Sequence, residues 1–276
     1  MLDAIAAIAA GLEPSRTDDP THAAELVAGV GACILTGLEP SQSSAATLAA
    51  TLLGDRLRAG PPPVEVREGG DKDPKIRVDG AHEVPLPLHT DGFTYGLDGP
   101  DTMVLLCERP SEGDGASTVV DAYRVLDALA ADPGGAELVR FMCDVEVDLT
   151  APGAPPRRGT LVSTTPSGRR QVIVVALRDH IRAVPGPLAR AHEHCIDQVA
   201  EVFESVRTWA PRVHLAAGEA LCADNYRVVH SRDAYHDLDR RFWRIWAWSD
   251  DGRPPPEGRL ASDVRYVTED PAAAGG

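Results

Sequence analysis

This 276-residue chain is short of lysine, of aromatic residues and of long apolar runs. Lysine occurs only at Lys72 and Lys75, so the positive charge is nearly all arginine, and no Lys/Arg run offsets a formal net charge of −15. Such a surface repels phosphate backbones, which excludes non-specific nucleic-acid binding. No stretch approaches the roughly 18 uninterrupted apolar residues of a membrane span. The apolar N-terminus, Met1 to Leu12, carries Asp3 and no Lys or Arg, so it lacks the positive region of a secretory signal. The cysteines are few, odd in number and far apart, at positions 33, 107, 143, 195 and 222. That excludes a disulfide framework and a CxxC zinc site, and it points to a reducing cytoplasm.

Hydrophobic residues make up 43% and charged residues 25%, ordinary for a globular protein with ample core material. Leu2 to Leu12 reads as a short amphipathic helix. Asp19-Pro20-Thr21 starts a helix that runs from His22 to Val30. Ala32 to Leu38 reads as a buried strand, and Ser43 to Leu57 as a capped helix. Ala59 to Lys75 is a loop with a short strand at Val64 to Val66. Strands follow at Met103 to Cys107 and Ser117 to Val120, then a helix over Ala122 to Ala131 that stops at Asp132-Pro133-Gly134-Gly135. Asp144 to Leu149 alternates like an edge strand. Ala151 to Gly159 reads as a lid-like loop, and Leu161 to Thr165 with Gln171 to Ala176 as a hairpin. Leu188 to Trp209 is the longest helix. Short strands at Val213 to Leu215, Ala220 to Asp224 and Arg227 to His230 lead to the aromatic strand Arg240 to Trp248. We find no internal repeat and no linker. The pattern predicts one domain over 1–276, with a helical N-terminal part over 1–60 and a catalytic core over 85–248. Its fold class is mainly β, a sandwich with helices packed on one side.

The chemistry concentrates in Leu88-His89-Thr90-Asp91-Gly92, Asn225 to His230, and Arg240 to Arg244. His89 and Asp91 are two apart, so in an extended segment both point to one face. Pro87 biases the residue before it toward extension, and Gly92 lets the chain turn directly afterwards. A lone HxD is equally a surface turn. His230 adds a third group at the end of an apolar strand. Two His and one carboxylate on one face of an octahedron form the ligand set of a catalytic non-haem Fe(II). Because 230 − 89 = 141 residues separate the two histidines, the spacing predicts closure by a barrel. Arg240 and Arg244 are four apart and share a face, with Phe242 between them and Trp243, Ile245, Trp246 and Trp248 around them. Two arginines alone would be an exposed basic patch, but so apolar a run is buried. Buried arginines need an anion, and a small dicarboxylate beside the metal would serve. Ser117 or Thr118 would add a hydroxyl.

The order HTDG, a Gly-rich turn with Ser/Thr, DNxRxxH and then RxxxR resembles the taurine dioxygenase/clavaminate synthase-like superfamily. The resemblance runs from about Pro85 to Trp248. It implies a double-stranded β-helix (a cupin-like jelly roll) and an Fe(II)- and 2-oxoglutarate-dependent dioxygenase that uses O2. It implies His89, Asp91 and His230 as iron ligands and Arg240 as partner of the distal carboxylate of 2-oxoglutarate, with Arg241 as fallback. Arg244 would lie near the substrate or the cosubstrate's other end. Ser117 matches the family's usual Thr by its register to Asp121, ahead of Thr118. Related halogenases replace the carboxylate ligand by a small residue, so Asp91 argues for oxidation and against halogenation.

The expected substrate is a small molecule, first an amino acid or small natural-product intermediate, then a sulfonate or other small acid. Hydroxylation is the default outcome; desaturation, cyclisation or epoxidation would use the same residues. Phe93 and Tyr95 follow the HxD directly and are candidates to shape the substrate site. Arg157, Arg158 and the stretch Asp179 to Arg182 could meet a charged substrate, though a plain surface is favoured. His82-Glu83 would line the pocket or lie exposed. His192, Glu193, His194 and Cys195 sit inside a helix, where i and i+2 diverge, and read as a solvated face. A second class is a cupin-like metal protein without oxygenase activity, a Zn hydrolase or a dicarboxylate sensor. No nucleic-acid or membrane partner is expected. A homo-oligomer is left open, since the family often forms dimers or larger assemblies.

Overall fold

The computed structural model describes residues 13–66, 82–150, 156–175, 178–258 and 260–262. The helix expected over Leu2 to Leu12 and part of the lid-like loop lie outside these residues. The chain runs β1 (Ser15–Thr17), α1 (Pro20–Val30), β2 (Ala32–Leu35), α2 (Gln42–Leu53), β3 (Leu57–Ala59), β4 (Val64–Val66), β5 (Leu86–His89), β6 (Thr102–Arg109) and β7 (Ser117–Asp121). It continues with α3 (Ala122–Ala130), α4 (Pro133–Asp144), β8 (Val147–Asp148), β9 (Arg158–Gly159), β10 (Val162–Thr164), β11 (Arg170–Val172) and β12 (Arg182–Ala183). It ends with α5 (Ala189–Trp209), β13 (Arg212–Val213), β14 (Ala220–Asp224), β15 (Val228–Arg232) and β16 (Arg241–Ser249).

Two sheets face each other. The larger has the order β1-β2-β14-β6-β16-β3, with β4 also on β16; the smaller has the order β13-β7-β15-β5. All these pairings are antiparallel except β1 with β2. This is the jelly-roll class expected, built as two open sheets. Between them lies a core of Ile34, Met103, Leu221, Trp246 and Trp248 from one side and Val119, Val213 and Val228 from the other.

Helices cover both outer faces, where the sequence pattern had placed them on one side. The reason is in the strands. β16 alternates Phe242, Trp246 and Trp248 inward with Trp243, Ile245 and Ala247 outward, so both of its faces are apolar. The outward set packs on Ala23 of α1 and on Ala45, Leu48 and Leu52 of α2. On the far side, Leu88, Val120 and Val229 of the smaller sheet pack on α3, α4 and α5 through Leu126, Phe141 and Phe203.

Local signals account for the helix ends. The Asp19 side chain caps α1 by accepting from Thr21 N, and Gly31 closes it in the left-handed region. Ser41 caps α2 in the same way. The helix α4 was missed. Asp132-Pro133 was read as a stop, but Asp132 accepts from Gly135 N as an N-cap with Pro133 at the first helical position, which is a start signal. Gly135 is required there, since a Cβ would sit 2.4 Å from Leu129 O.

Candidate active site

His89 and His230 are direct cross-strand partners of β5 and β15. Adjacent strands in one sheet therefore bridge the 141 residues between them, and the barrel closure expected from that spacing is not needed. His89, Asp91 and His230 each offer a ligand atom within 4.8 Å of the others, and among the described residues they are the one such group of three. The two imidazoles lie 4.3 Å apart between ring centroids.

The local chain explains the placement. His89 Nδ1 lies 2.9 Å from Pro87 O, which leaves Nε2 turned to Asp91 Oδ1 at 3.5 Å. Gly92 has φ 77°, and a Cβ there would lie 2.4 Å from Pro100 Cδ, so the turn after Asp91 demands glycine. The Asn225 side chain clamps this turn: its Oδ1 accepts from Asp91 N at 2.9 Å, and its Nδ2 donates to Asp91 O and Pro100 O. The sequence showed Asn225 only as a turn residue.

Asp91 Oδ2 accepts from Trp246 Nε1 at 2.8 Å, and Arg244 Nη1 stands 3.7 Å from Oδ1. The indole thus occupies one carboxylate oxygen and leaves Oδ1 facing the histidines. Burial raises the Asp91 pKa, but Arg244, the bond from His89 and the two imidazoles outweigh it and hold the carboxyl well below the usual range. His230 also moves down, which for an imidazole favours the neutral form. Burial first, then His89 and Arg244 against Asp91, pushes it down to about 3. The cluster is therefore one carboxylate with a neutral imidazole at His230, the protonation states that metal ligation needs. His230 Nδ1 is buried without a partner. An orphaned ring nitrogen beside an ionised carboxylate fits a cation.

Arg240 and Arg244 share the inner face of the strand, as their spacing predicts, but they point to different places. Arg240, just before β16, is 3% exposed. Its guanidinium lies over the rings of Phe242 and Tyr235, at 3.9 and 4.8 Å, with one long bond to Gly115 O at 3.5 Å. No carboxylate among the described residues pairs with it, and burial pushes its pKa down to about 10. Asp114 lines the same cavity of about 30 Å³ but is taken up by Ser111 and His236. Ser117 also lines it. Thr118 belongs to the other face of β7, fully buried, with its Oγ1 unpaired, because successive strand residues alternate. Arg241, the fallback, pairs outward with Glu65 and Glu108.

Phe93 stacks on His180 at 5.5 Å. Tyr95 is 4% exposed; its hydroxyl donates to Ala261 O and accepts from Ala261 N, and its ring meets Trp246 and Trp248 edge-on. The stem of Arg157 packs over Gly96. His192 packs on Phe141, and Glu193 pairs with Arg178, so that helix face takes up its groups locally. Besides Asn225, sequence reasoning missed Trp246 as a partner of Asp91. The available signal was its position two residues after Arg244, which puts both on one face.

Among the described residues no helix is long and apolar enough to cross a membrane. A gamma-butyrobetaine dioxygenase from Pseudomonas sp. (strain AK-1) is 29% identical over 168 residues, which are 57% of this chain and 42% of that protein. The match thus spans less than half the length of the curated relative. The structure of a taurine dioxygenase from Burkholderia xenovorans aligns over 88% of this chain and 89% of its own, at TM-score 0.58 and 18% identity. An asparagine oxygenase in complex with Fe(II), 2S,3S-3-hydroxyasparagine and succinate aligns over 84% and 82%, at TM-score 0.57 and 16% identity. These likenesses establish the shared fold. The sequence pattern described as taurine catabolism dioxygenase TauD, TfdA family matches residues 9–246, and the chain belongs to that family.

Proposed function

We propose that this protein is an Fe(II)- and 2-oxoglutarate-dependent dioxygenase that hydroxylates an amino acid or a related small acid. His89, Asp91 and His230 would hold the iron, and Arg240 with Ser117 would hold the far carboxylate of 2-oxoglutarate. The observation that carries this reading is the buried, carboxylate-free guanidinium of Arg240 on the same inner face as the His/Asp/His cluster. Burying an unpaired cation costs several kcal/mol or forces a pKa change, so the site is built for an anion that arrives with the reaction. O2 would be the oxidant, and iron with the keto acid as co-reductant, when bound, would activate it so that one oxygen atom enters a substrate C–H bond and the other the succinate formed from the keto acid.

The chain's own residues supply binding, orientation and exclusion of water. Trp246 fixes the Asp91 carboxylate, Asn225 fixes the Asp91 backbone, the Pro87 carbonyl fixes the His89 tautomer, and His230 stays neutral and ready to ligate. The amino-acid reading draws on the asparagine oxygenase that shares the fold. Arg244 lies beside Asp91 and suits an anionic group of the substrate. Phe93 is the candidate for its apolar part. Tyr95 would act through the packing it supports. Five cysteines without a disulfide fit a cytoplasmic setting.

The test is an anaerobic titration of metal-free protein with Fe(II) and then 2-oxoglutarate, followed by visible absorption. A weak charge-transfer band that needs both additions and is lost in Asp91→Ala is expected. Fe(II) binding with no band would remove the cosubstrate assignment and favour a hydrolase or a dicarboxylate-binding protein.

A further inference from the structure

The family match ends at residue 246, yet a segment 262 − 246 = 16 residues further on lies against the candidate metal centre. Ser262 is 0% exposed and Ala261 7%. The Ser262 carbonyl accepts from Arg244 Nε at 2.9 Å, and Ser262 Oγ accepts from the backbone N–H of Trp246 at 2.9 Å. Ala261 is held at both its N–H and its carbonyl by the Tyr95 hydroxyl, at 3.0 and 3.3 Å.

The sheet explains why a segment is needed there. One edge of β16 pairs with β6 from Phe242 to Ala247 without a register shift. On the other edge β4 covers Phe242 to Arg244, and β3 begins only at Trp248. The backbone N–H of Trp246 falls in the gap, buried, and an unpaired buried N–H is costly. Ser262 supplies its acceptor. Ser262 also engages Arg244, and Ala261 engages Tyr95, whose ring stands edge-on to the Trp246 indole at 6.2 Å. Arg244 and Trp246 are the two side chains of β16 that hold Asp91.

We propose that Leu260–Ser262 is a strap that positions Asp91 through Arg244 and Trp246, with Ser262 as the positioning residue. This rests on the metal-centre reading above. A guanidinium held by its Nε has its Nη end already aimed, and an indole packed against Tyr95 keeps its N–H on one carboxylate oxygen. Both reduce the ordering that the metal would otherwise have to impose. Partners that orient metal ligands are commonly worth 10- to 100-fold in affinity.

The experiment measures Mn(II) binding to metal-free, full-length protein from the EPR signal of free Mn(II), with no turnover involved. Ala261→Glu, which forces a charge into a packed position, is expected to weaken binding by about tenfold. Ser262→Ala is expected to weaken it several-fold, and Ser262→Thr, which keeps the hydroxyl, to restore it. In the double variant Ala261→Glu/Trp246→Phe, the loss is expected to be smaller than the product of the single losses, because both act on one carboxylate. Unchanged Mn(II) affinity in Ala261→Glu and Ser262→Ala would overturn the strap, as would losses that multiply in full. Should Ala261→Glu fail to fold, the Ser262→Ala and Ser262→Thr pair carries the same decision. Wild-type protein that does not bind Mn(II) would instead overturn the metal-centre reading on which the strap depends.

Discussion

Two buried polar clusters, one around Arg169 and one around His230 and Arg240, differ in one respect. Around Arg169 every charge is answered. Its guanidinium bonds Asp101 at 3.0 Å and Asp224 at 2.5 Å, Asp101 also accepts from Ser249, and Asp224 accepts from Tyr226 N. Around His230 and Arg240 the account stays open: among the described residues one ring nitrogen has no partner, and the guanidinium meets no carboxylate and has one long bond, to Gly115 O. A cavity of about 460 Å³ borders the closed cluster, while the cavity at Arg240 is about 30 Å³. Unfilled valence, more than empty volume, is what singles out the candidate site here, because a native fold seldom leaves buried polar groups unpaired without a use for them.

Substituting the two arginines tests that contrast most strongly. Arg169→Met strands two carboxylates and should cost about 3 kcal/mol in chemical denaturation, the low end for a broken buried pair because a quarter of its side chain is exposed. Arg240→Met in metal-free protein should change stability by no more than about 1 kcal/mol, and is expected to raise it, since it removes a buried cation that no carboxylate compensates. If the two variants lose equal stability, Arg240 is a structural residue and the contrast collapses. The same Arg240→Met should weaken 2-oxoglutarate binding by about 1.5–3 kcal/mol, the worth of a charged hydrogen bond, measured by titration of the visible band.

The clusters should also respond to pH with opposite sign. His230 has a depressed pKa in the fold, about 3 against an ordinary 6.5. Between those values the unfolded chain binds a proton that the folded chain does not, so the stability of metal-free protein should fall as pH drops, by at most about 1.4 kcal/mol per unit. Asp224 is raised above its ordinary 3.8, chiefly by burial against the pull of Arg169. Its contribution is full below 3.8 and is lost as pH rises through the folded value. Denaturation curves of His230→Gln and Asp224→Asn from pH 3.5 to 6.5 should therefore change slope in opposite directions. A common direction would show that one of the two environments is misassigned.

The smallest effect sharpens the boundary of the open cluster. Ser117→Ala should weaken 2-oxoglutarate binding by about 0.5–1.5 kcal/mol, and Thr118→Val should leave it unchanged, because that residue lies on the far face of β7. Equal losses in the two would remove Ser117 from the pocket.

Much of this contrast was legible before any fold was known. His89 and Asp91 at i and i+2 and Arg240 and Arg244 on one face follow from the two-residue period of a strand, while Ser117 ahead of Thr118 is what the family resemblance implies. Trp246 and Asn225 were not legible as partners of Asp91. Nothing within a few residues of either names Asp91, whose carboxylate Trp246 meets and whose backbone Asn225 meets, 155 and 134 positions away. The second layer of helices was missed because an apolar strand reads alike whether one or both faces are covered, and α4 because Pro133 marks a stop or a start depending on the cap before it.

By itself the sequence determined the inventory and its local geometry: which groups can ligate, which share a face, where glycine and caps must stand. These depend on neighbours a few bonds apart. Tertiary structure alone decided that His89 and His230 are cross-strand partners, that Arg240 faces a pocket with no carboxylate to meet it, and that Ser262 reaches the edge of β16. Those outcomes rest on strand order and register. A slip of one residue would turn each of these side chains to the opposite face while leaving every local preference intact.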